Sequence, residues 1–305
     1  MLLFITKRLL VAVLVLLTVS AISFTLLQVS GDLAKSIAGE SASIADVEAA
    51  RRAHGLDRPF LIRYVDWLGS ALKGDLGLSF FSREPVVKLI VEGLPVTATL
   101  GLWAIVVALA VAVPLGLCAA MWPNSWIDRM ALMLAVVGQA MPSFWLALQA
   151  IILFGLMLRW LPISGSDTWQ HFVLPVIVLA LNAVPGIMRL TRAGMIEVLA
   201  SDYVRTARAK GLSTWTIVRR HALRNAIIPV ISLAAVQLGF LLGGSIIVEA
   251  VFALHGVGHL AWISISRADF PVVQGIVLMF SLIYVFLTLA ADLLNATIDP
   301  RIRLT

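Results

Sequence analysis

GLPVTATLGLWAIVVALAVAVPLGLCAAMWPNSWI, residues 93–127, contains no Asp, Glu, Lys or Arg. A bilayer core about 30 Å thick is crossed by roughly 20 residues of helix rising about 1.5 Å each. This run is long enough to cross and to continue into the headgroups. Five more runs share its character, at residues 9–31, 130–157, 168–188, 226–248 and 270–291. Unpaired backbone amides are not tolerated in hydrocarbon, so each run is expected to be a helix. The rest of the composition agrees: of 305 residues 60% are hydrophobic and only 13% charged, with a mean hydropathy of +0.98. A water-soluble domain carries about 25% charged residues, so the surplus apolar surface must face lipid. The sequence therefore predicts an all-α membrane protein of about six transmembrane helices.

Lys7 and Arg8 precede the first run in the manner of a secretory signal. The run is longer than a signal core and ends without a clear small-x-small cleavage site, so it is read as a retained span. The single cysteine, Cys118, lies inside the second run, which excludes an intrachain disulfide or a cysteine metal cluster.

Short cytoplasmic loops are enriched in Lys and Arg. The connection 189–225 carries Arg189, Arg192, Arg205, Arg208, Lys210, Arg219, Arg220 and Arg224 against Glu197 and Asp202. It is placed in the cytoplasm, with both termini on the same side. The connections near Asp167 and Asp269, holding Arg159 and Arg267, then lie outside. The long connection 30–92 has eight basic and nine acidic residues and is near neutral. It is expected to be a small extracytoplasmic module, with one amphipathic helix over 44–55 and another over 59–72 presenting Tyr64, Trp67 and Leu68 on one side. The predicted division is 1–30 as the first span, 31–92 as the module and 93–305 as the transport core. The net charge of +6 and pI near 10.0 are concentrated in one loop beside spans, which favours lipid and protein contact over nucleic acid.

Residues 197–229 read EVLASDYVRTARAKGLSTWTIVRRHALRNAIIP. Ser201 and Asp202 suit the start of a short helix running to Lys210, Gly211 supplies a left-handed stop, and Ser213 suits the cap of a second helix running to about Asn225. A helix, a sharp turn and a helix with a basic exposed side, over about 196–225, make a docking surface and hold no catalytic chemistry.

DYVRTARAKGL (202–212) followed by RHALRNAIIP (220–229) resembles the coupling loop of ABC-importer permeases, in the branch that imports dipeptides, oligopeptides, glutathione and nickel complexes. Further matching pieces follow in the family's order: GLDRPFLIRYVDWLGSALKGDLGLSF (55–80), LPVTATLGL (94–102), MPSFWLAL (141–148), WLPISG (160–165), LPVIVLAL (174–181), VEAVFALHGVGHL (248–260), FPVVQG (270–275) and DPRIR (299–303). Where the broader importer loop begins Glu-Ala-Ala, this chain has Arg205-Thr206-Ala207, the form of the peptide-type branch. The resemblance implies that Tyr203, Val204, Arg205, Thr206, Ala207, Arg208, Ala209, Lys210, Gly211 and Leu212 contact a separate ATPase subunit. Ala207 and Gly211 would then permit close approach, and Arg205 and Arg208 would supply polar contacts. It also implies a second homologous permease, two ATP-binding subunits that hold ATP and Mg, an extracytoplasmic solute-binding protein, and residence in a bacterial inner membrane.

Polar residues inside the bundle are candidates for the translocation pathway, because lipid-facing positions tolerate them poorly. They are Gln139, Ser143, Asn182 and Gln237, with Pro142, Pro185 and the glycines 239, 243 and 244 nearby. Interhelical bonding is the competing reading, and Gly239-x-x-x-Gly243 also has the spacing of tight helix packing. No G-x-x-x-x-G-K-[ST] is present, so no P-loop cradles ATP in this chain. The five histidines are scattered and no H-E-x-x-H occurs; His255 and His259 are separated by Gly256 and Gly258, which favour a loop over a metal site. A stand-alone secondary transporter would need intramembrane ion-coupling residues or an inverted repeat, and a membrane-embedded enzyme would need clustered nucleophiles or metal ligands. The sequence shows none of these.

Overall fold

A computed structural model describes residues 2–29, 33–39, 42–53 and 55–298. His54 and the 299–303 motif, with the basic tail residues Arg301 and Arg303, lie outside the described residues. The chain runs as α1 (Leu2–Val29), the short α2 (Leu33–Ala38), α3 (Ile44–Ala53) and α4 (Phe60–Leu72), then α5 (Val86–Met121), α6 (Trp126–Ala140) and α7 (Ser143–Met157). It continues as α8 (Gln170–Leu199), α9 (Asp202–Ala209), α10 (Thr214–Phe252), α11 (Val257–Ser266) and α12 (Phe270–Ile298). Among the described residues the only strand-like feature is an isolated bridge between Leu78 and Pro85.

Five of these helices are long and apolar enough to cross a bilayer, and the count is six if the bent pair α6–α7 is one span. The run 130–157, expected as one span, is broken: α6 and α7 meet at an angle of 98°. The cause is local. Pro142 has no N–H to donate, and its ring pushes the residue before it out of the helical region; Met141 is extended at φ −86, ψ 128. Two other runs extend further than their apolar limits. The fourth continues as helix through Arg189 and Arg192 to Leu199, and the fifth begins at Thr214. The second helix expected in the 196–225 segment therefore does not stop near Asn225 but becomes the span itself. Its early turns over Ile217–Ala222 are π-helical and it carries Pro229 inside.

The helices group into two compact units, Met1–Thr97 with His255–Val285, and Ala98–Leu254 with Phe286–Thr305. In the first, Phe24 of α1 meets Phe60, Tyr64 and Trp67 of α4 with ring centroids 5.4, 5.5 and 5.9 Å apart, and Tyr64 hydrogen-bonds Ser20 at 2.8 Å. The buried Asp269 carboxylate accepts from Ser79 Oγ at 2.5 Å and from the Phe80 amide at 3.0 Å, fixing the 74–85 loop to the start of α12. The Val257 amide donates to Thr97 Oγ1 at 2.8 Å, beside Gly93, where a Cβ would lie 2.9 Å from the Val257 nitrogen.

In the second unit α8 is the central helix, packed by α6, α7 and α10. Gly116 of α5 lies so close to it that a Cβ would come within 2.6 Å of the Met188 carbonyl oxygen. One ion pair ties α6 to α8: Arg192 Nε and Nη2 donate to the two oxygens of Asp128 at 2.6 and 2.7 Å. Asp128 also accepts from the Asn124 amide at 2.9 Å and is 2% exposed.

Candidate coupling site

The elbow grows from the end of α8. Ser201 is extended at φ −70, ψ 155 and sits at the N-cap position of α9, yet its hydroxyl donates back to the Val198 carbonyl at 2.6 Å instead of capping. Asp202 in the first turn and Arg208 in the last complement the helix dipole. Gly211, at φ +78, reverses the chain, with its amide bonded to Arg208 O at 2.9 Å and the Leu212 amide to Ala207 O at 3.3 Å. Ser213 then caps α10, accepting from the Thr216 amide at 3.4 Å.

α9 has one face toward the protein and one away from it. Val204 and Ala207, three apart and so on one side of the helix, are buried with Ile217 of α10 against Val198 and Leu199. Immediately beneath lies a second cluster, Met195 with Ala120, Val218, Ala222 and Ala226. Tyr203, Arg205, Thr206, Arg208, Ala209, Lys210, Gly211 and Leu212 all face outward. Tyr203 is also tied to α10, accepting from Asn225 Nδ2 at 2.9 Å. Arg205 pairs with Asp202 at 3.2 Å, but their side chains are 76% and 92% exposed, so the pair adds little to stability.

These placements refine the residue roles. Ala207 is small because its own helices crowd it, and Val204 serves the same packing. A Cβ added at Gly211 would meet nothing within 4 Å, so its backbone conformation, and no close approach within this chain, requires glycine. Gly211→Ala is therefore expected to cost about 1–2 kcal/mol locally. Amide hydrogen exchange across 202–212 should quicken by roughly 5–30-fold, and Gly211→Asn, which tolerates the left-handed region, should show less.

Three of the four polar candidates of the membrane region converge on one stripe of α8. Asn182, Gly186 and Arg189 share that face. Gln139 of α6 accepts from both Nη atoms of Arg189 at 3.2 Å, and Gln237 of α10 lies over Gly186, its Nε2 3.4 Å from where a Cβ would be. Ser143 is half-buried beyond the bend, in the first turn of α7. Sequence reasoning missed Arg189 and Arg192 as structural residues because the apolar run ends before them. Asp128 falls in the gap between the runs 93–127 and 130–157 and so stood out only as their boundary. The spacing of the two arginines on a continuing helix was the available signal. Among the described residues no group of three His, Cys, Asp or Glu side chains is placed to hold a metal.

Comparison with known proteins agrees with this architecture. The family model described as "Binding-protein-dependent transport system inner membrane component" matches residues 112–304, and that for the N-terminal part of such membrane components matches residues 1–101. The chain is 41% identical over 308 aligned positions to the glutathione transport system permease protein GsiC of Escherichia coli (strain K12), covering 99% of each. The same figures hold for GsiC of Shigella flexneri serotype 5b (strain 8401). Among solved structures, a chain of the MetNI methionine ABC transporter in an inward-facing conformation shares the fold, with a TM-score of 0.57 at 17% identity over 69% of this chain and 96% of that one. The chain belongs to the binding-protein-dependent transport system inner membrane component family and is a multi-pass inner-membrane permease subunit of an ABC importer.

Proposed function

We propose that this permease passes a peptide-like solute, with a glutathione-type tripeptide as the first candidate, and that its α9 elbow is the part gripped by separate ATP-binding subunits. The observation that carries this reading is the division of α9. Its inward residues Val204 and Ala207, with the Tyr203–Asn225 hydrogen bond, fix it to α8 and α10, while Arg205, Thr206, Arg208, Lys210 and Leu212 are left outward on a surface that the fold does not bury. A short helix held rigidly to two spans transmits the movement of whatever holds its other side. The 41% identity to GsiC along the whole chain supports the solute class.

In this reading both termini and the elbow are cytoplasmic, and the segment 31–92 is an extracytoplasmic module. The solute arrives from an extracytoplasmic binding protein and crosses between this chain and a second, homologous permease. Gln139, Asn182 and Gln237 along the α8 stripe, with Ser143 beyond the bend, line the route. ATP and Mg are held by two ATP-binding subunits, and hydrolysis occurs there. One preparation tests sidedness and division of labour together. With Cys118 replaced by Ser, a Lys210→Cys chain in intact cells should resist a membrane-impermeant thiol reagent and react once the membrane is opened, and the purified chain should hydrolyse no ATP. Labelling of intact cells would place the elbow on the external face and end the coupling assignment.

A further inference from the structure

The first compact unit contains a cavity of about 470 Å³ walled by α1, the α4 segment, the 74–83 loop and the first turns of α12. Its apolar wall includes Phe24, Trp67 and Phe270, and its polar part includes Arg58, Arg63 and Arg83 against Asp66 and Asp75. Arg58 is committed to Asp66 at 2.9 Å. Gln274 also lines the cavity; it is only 7% exposed, and its side-chain nitrogen has no hydrogen-bond partner among the described residues. A buried amide donor left unsatisfied is costly, most of all beside hydrocarbon. Arg63 Nη1 donates to the Leu56 carbonyl at 3.3 Å, and burial, with the charge of Arg51, lowers its guanidinium below the usual range. An acceptor oxyanion in the cavity satisfies the Gln274 donor and lies among cationic side chains.

We propose that this cavity binds the headgroup of one phospholipid, with the phosphate accepting from Gln274 and facing Arg63 and Arg83, and the chains leaving along Phe24 and Trp67. A lipid is favoured over a soluble anion by the wall that Phe24 provides. Phe24 is itself turned inward at 7% exposed, but it belongs to α1, whose most apolar stretch is only 11% buried within this chain and offers its remaining faces to lipid. The aromatic rings of Tyr64 and Trp67, 6.3 Å apart, sit at the same end of α1, as aromatic side chains do at a bilayer interface. The site shares no residue with the elbow and does not rest on the solute class.

Native mass spectrometry of the full chain in mild detergent, titrated with phosphatidylglycerol, tests the assignment. The unaltered chain should retain one lipid more than Gln274→Leu. That variant keeps the volume and removes the donor, and its apparent affinity should fall about tenfold, the factor of one charge-assisted hydrogen bond. Arg83→Asn lies on the exposed loop at φ 61, which asparagine accepts. It should show a similar loss and serves if the Gln274 variant does not fold. Equal retention by either folded variant overturns the proposal, because a water molecule then suffices for Gln274. Release of the lipid by an equal concentration of glutathione or inorganic phosphate overturns it as well, since a soluble anion would then be the occupant.

Discussion

Arg192→Leu is expected to lower stability by about 3–5 kcal/mol, the cost of leaving a buried charge without its partner. Asp128 is 2% exposed and its two oxygens receive Arg192 Nε and Nη2 at 2.6 and 2.7 Å. Once the guanidinium is gone, the Asn124 amide still donates to the carboxylate, but one neutral hydrogen bond does not balance its charge. The pair joins the first turn of α6 to α8 three residues before Met195, which is fully buried in the cluster beneath the elbow. Loss of this tie should loosen the base of the α9 elbow as well as the bundle. The thermal midpoint in detergent and solute uptake in vesicles should therefore fall together. Asp128→Leu combined with Arg192→Leu should recover much of the loss, since two apolar groups leave no orphaned charge. Recovery stays incomplete because the Asn124 amide loses its acceptor. A single Arg192→Leu chain that melts with the unaltered protein would show that the pair is not holding these helices.

The second large effect is functional and should leave stability alone. Reversing both exposed charges, Arg205→Glu with Arg208→Glu, is expected to reduce uptake on the order of 100-fold, the product of two truncated interface contacts of moderate strength. Neither side chain is needed by the fold: both face outward, and the Arg205 pair with Asp202 is almost fully solvated. The melting midpoint should therefore move by no more than about 0.5 kcal/mol in equivalent stability. The same variant should fail to co-purify with ATP-binding subunits. Uptake and co-purification at the level of the unaltered chain would remove the outward face of α9 from the coupling role. A change in melting would instead mean that the reversal had disturbed packing.

The two expectations show which parts of this protein are legible in its sequence. Spans could be read because hydrocarbon enforces a single rule over some twenty residues at a time. The run 93–127 fills α5 from Gly93 to its end at Met121, and every other run falls largely on one helix or on the α6–α7 pair. The amphipathic helices at 44 and 60 were legible from their periodicity. Helix ends were not. An apolar run stops at the first charge, while α8 continues as helix through Arg189 and Arg192 and α10 already includes Arg219 and Arg224 before its apolar run begins. The bend at Pro142 was visible only as a breaker, because how far a chain turns at a proline depends on what packs around it. Glycine at 211 was readable from its own chemistry. The inward duty of Ala207 was not, since it is set by Ile217, ten residues further on. The Asp128–Arg192 contact spans 64 positions, and no local pattern encodes it.

α10 runs unbroken for 39 residues from Thr214 to Phe252, which at about 1.5 Å per residue makes a rod roughly 58 Å long. It is nearly twice as long as the hydrocarbon it crosses is thick, and it has one end beside the elbow. Rotating such a rod by ~5° about that end sweeps the far end through ~5 Å. The π-helical turns at 217–222 and Pro229 both lie in its first half, leaving the remainder stiff. A lever of this proportion needs only a small stroke at its elbow end to shift side chains by several ångströms at the other.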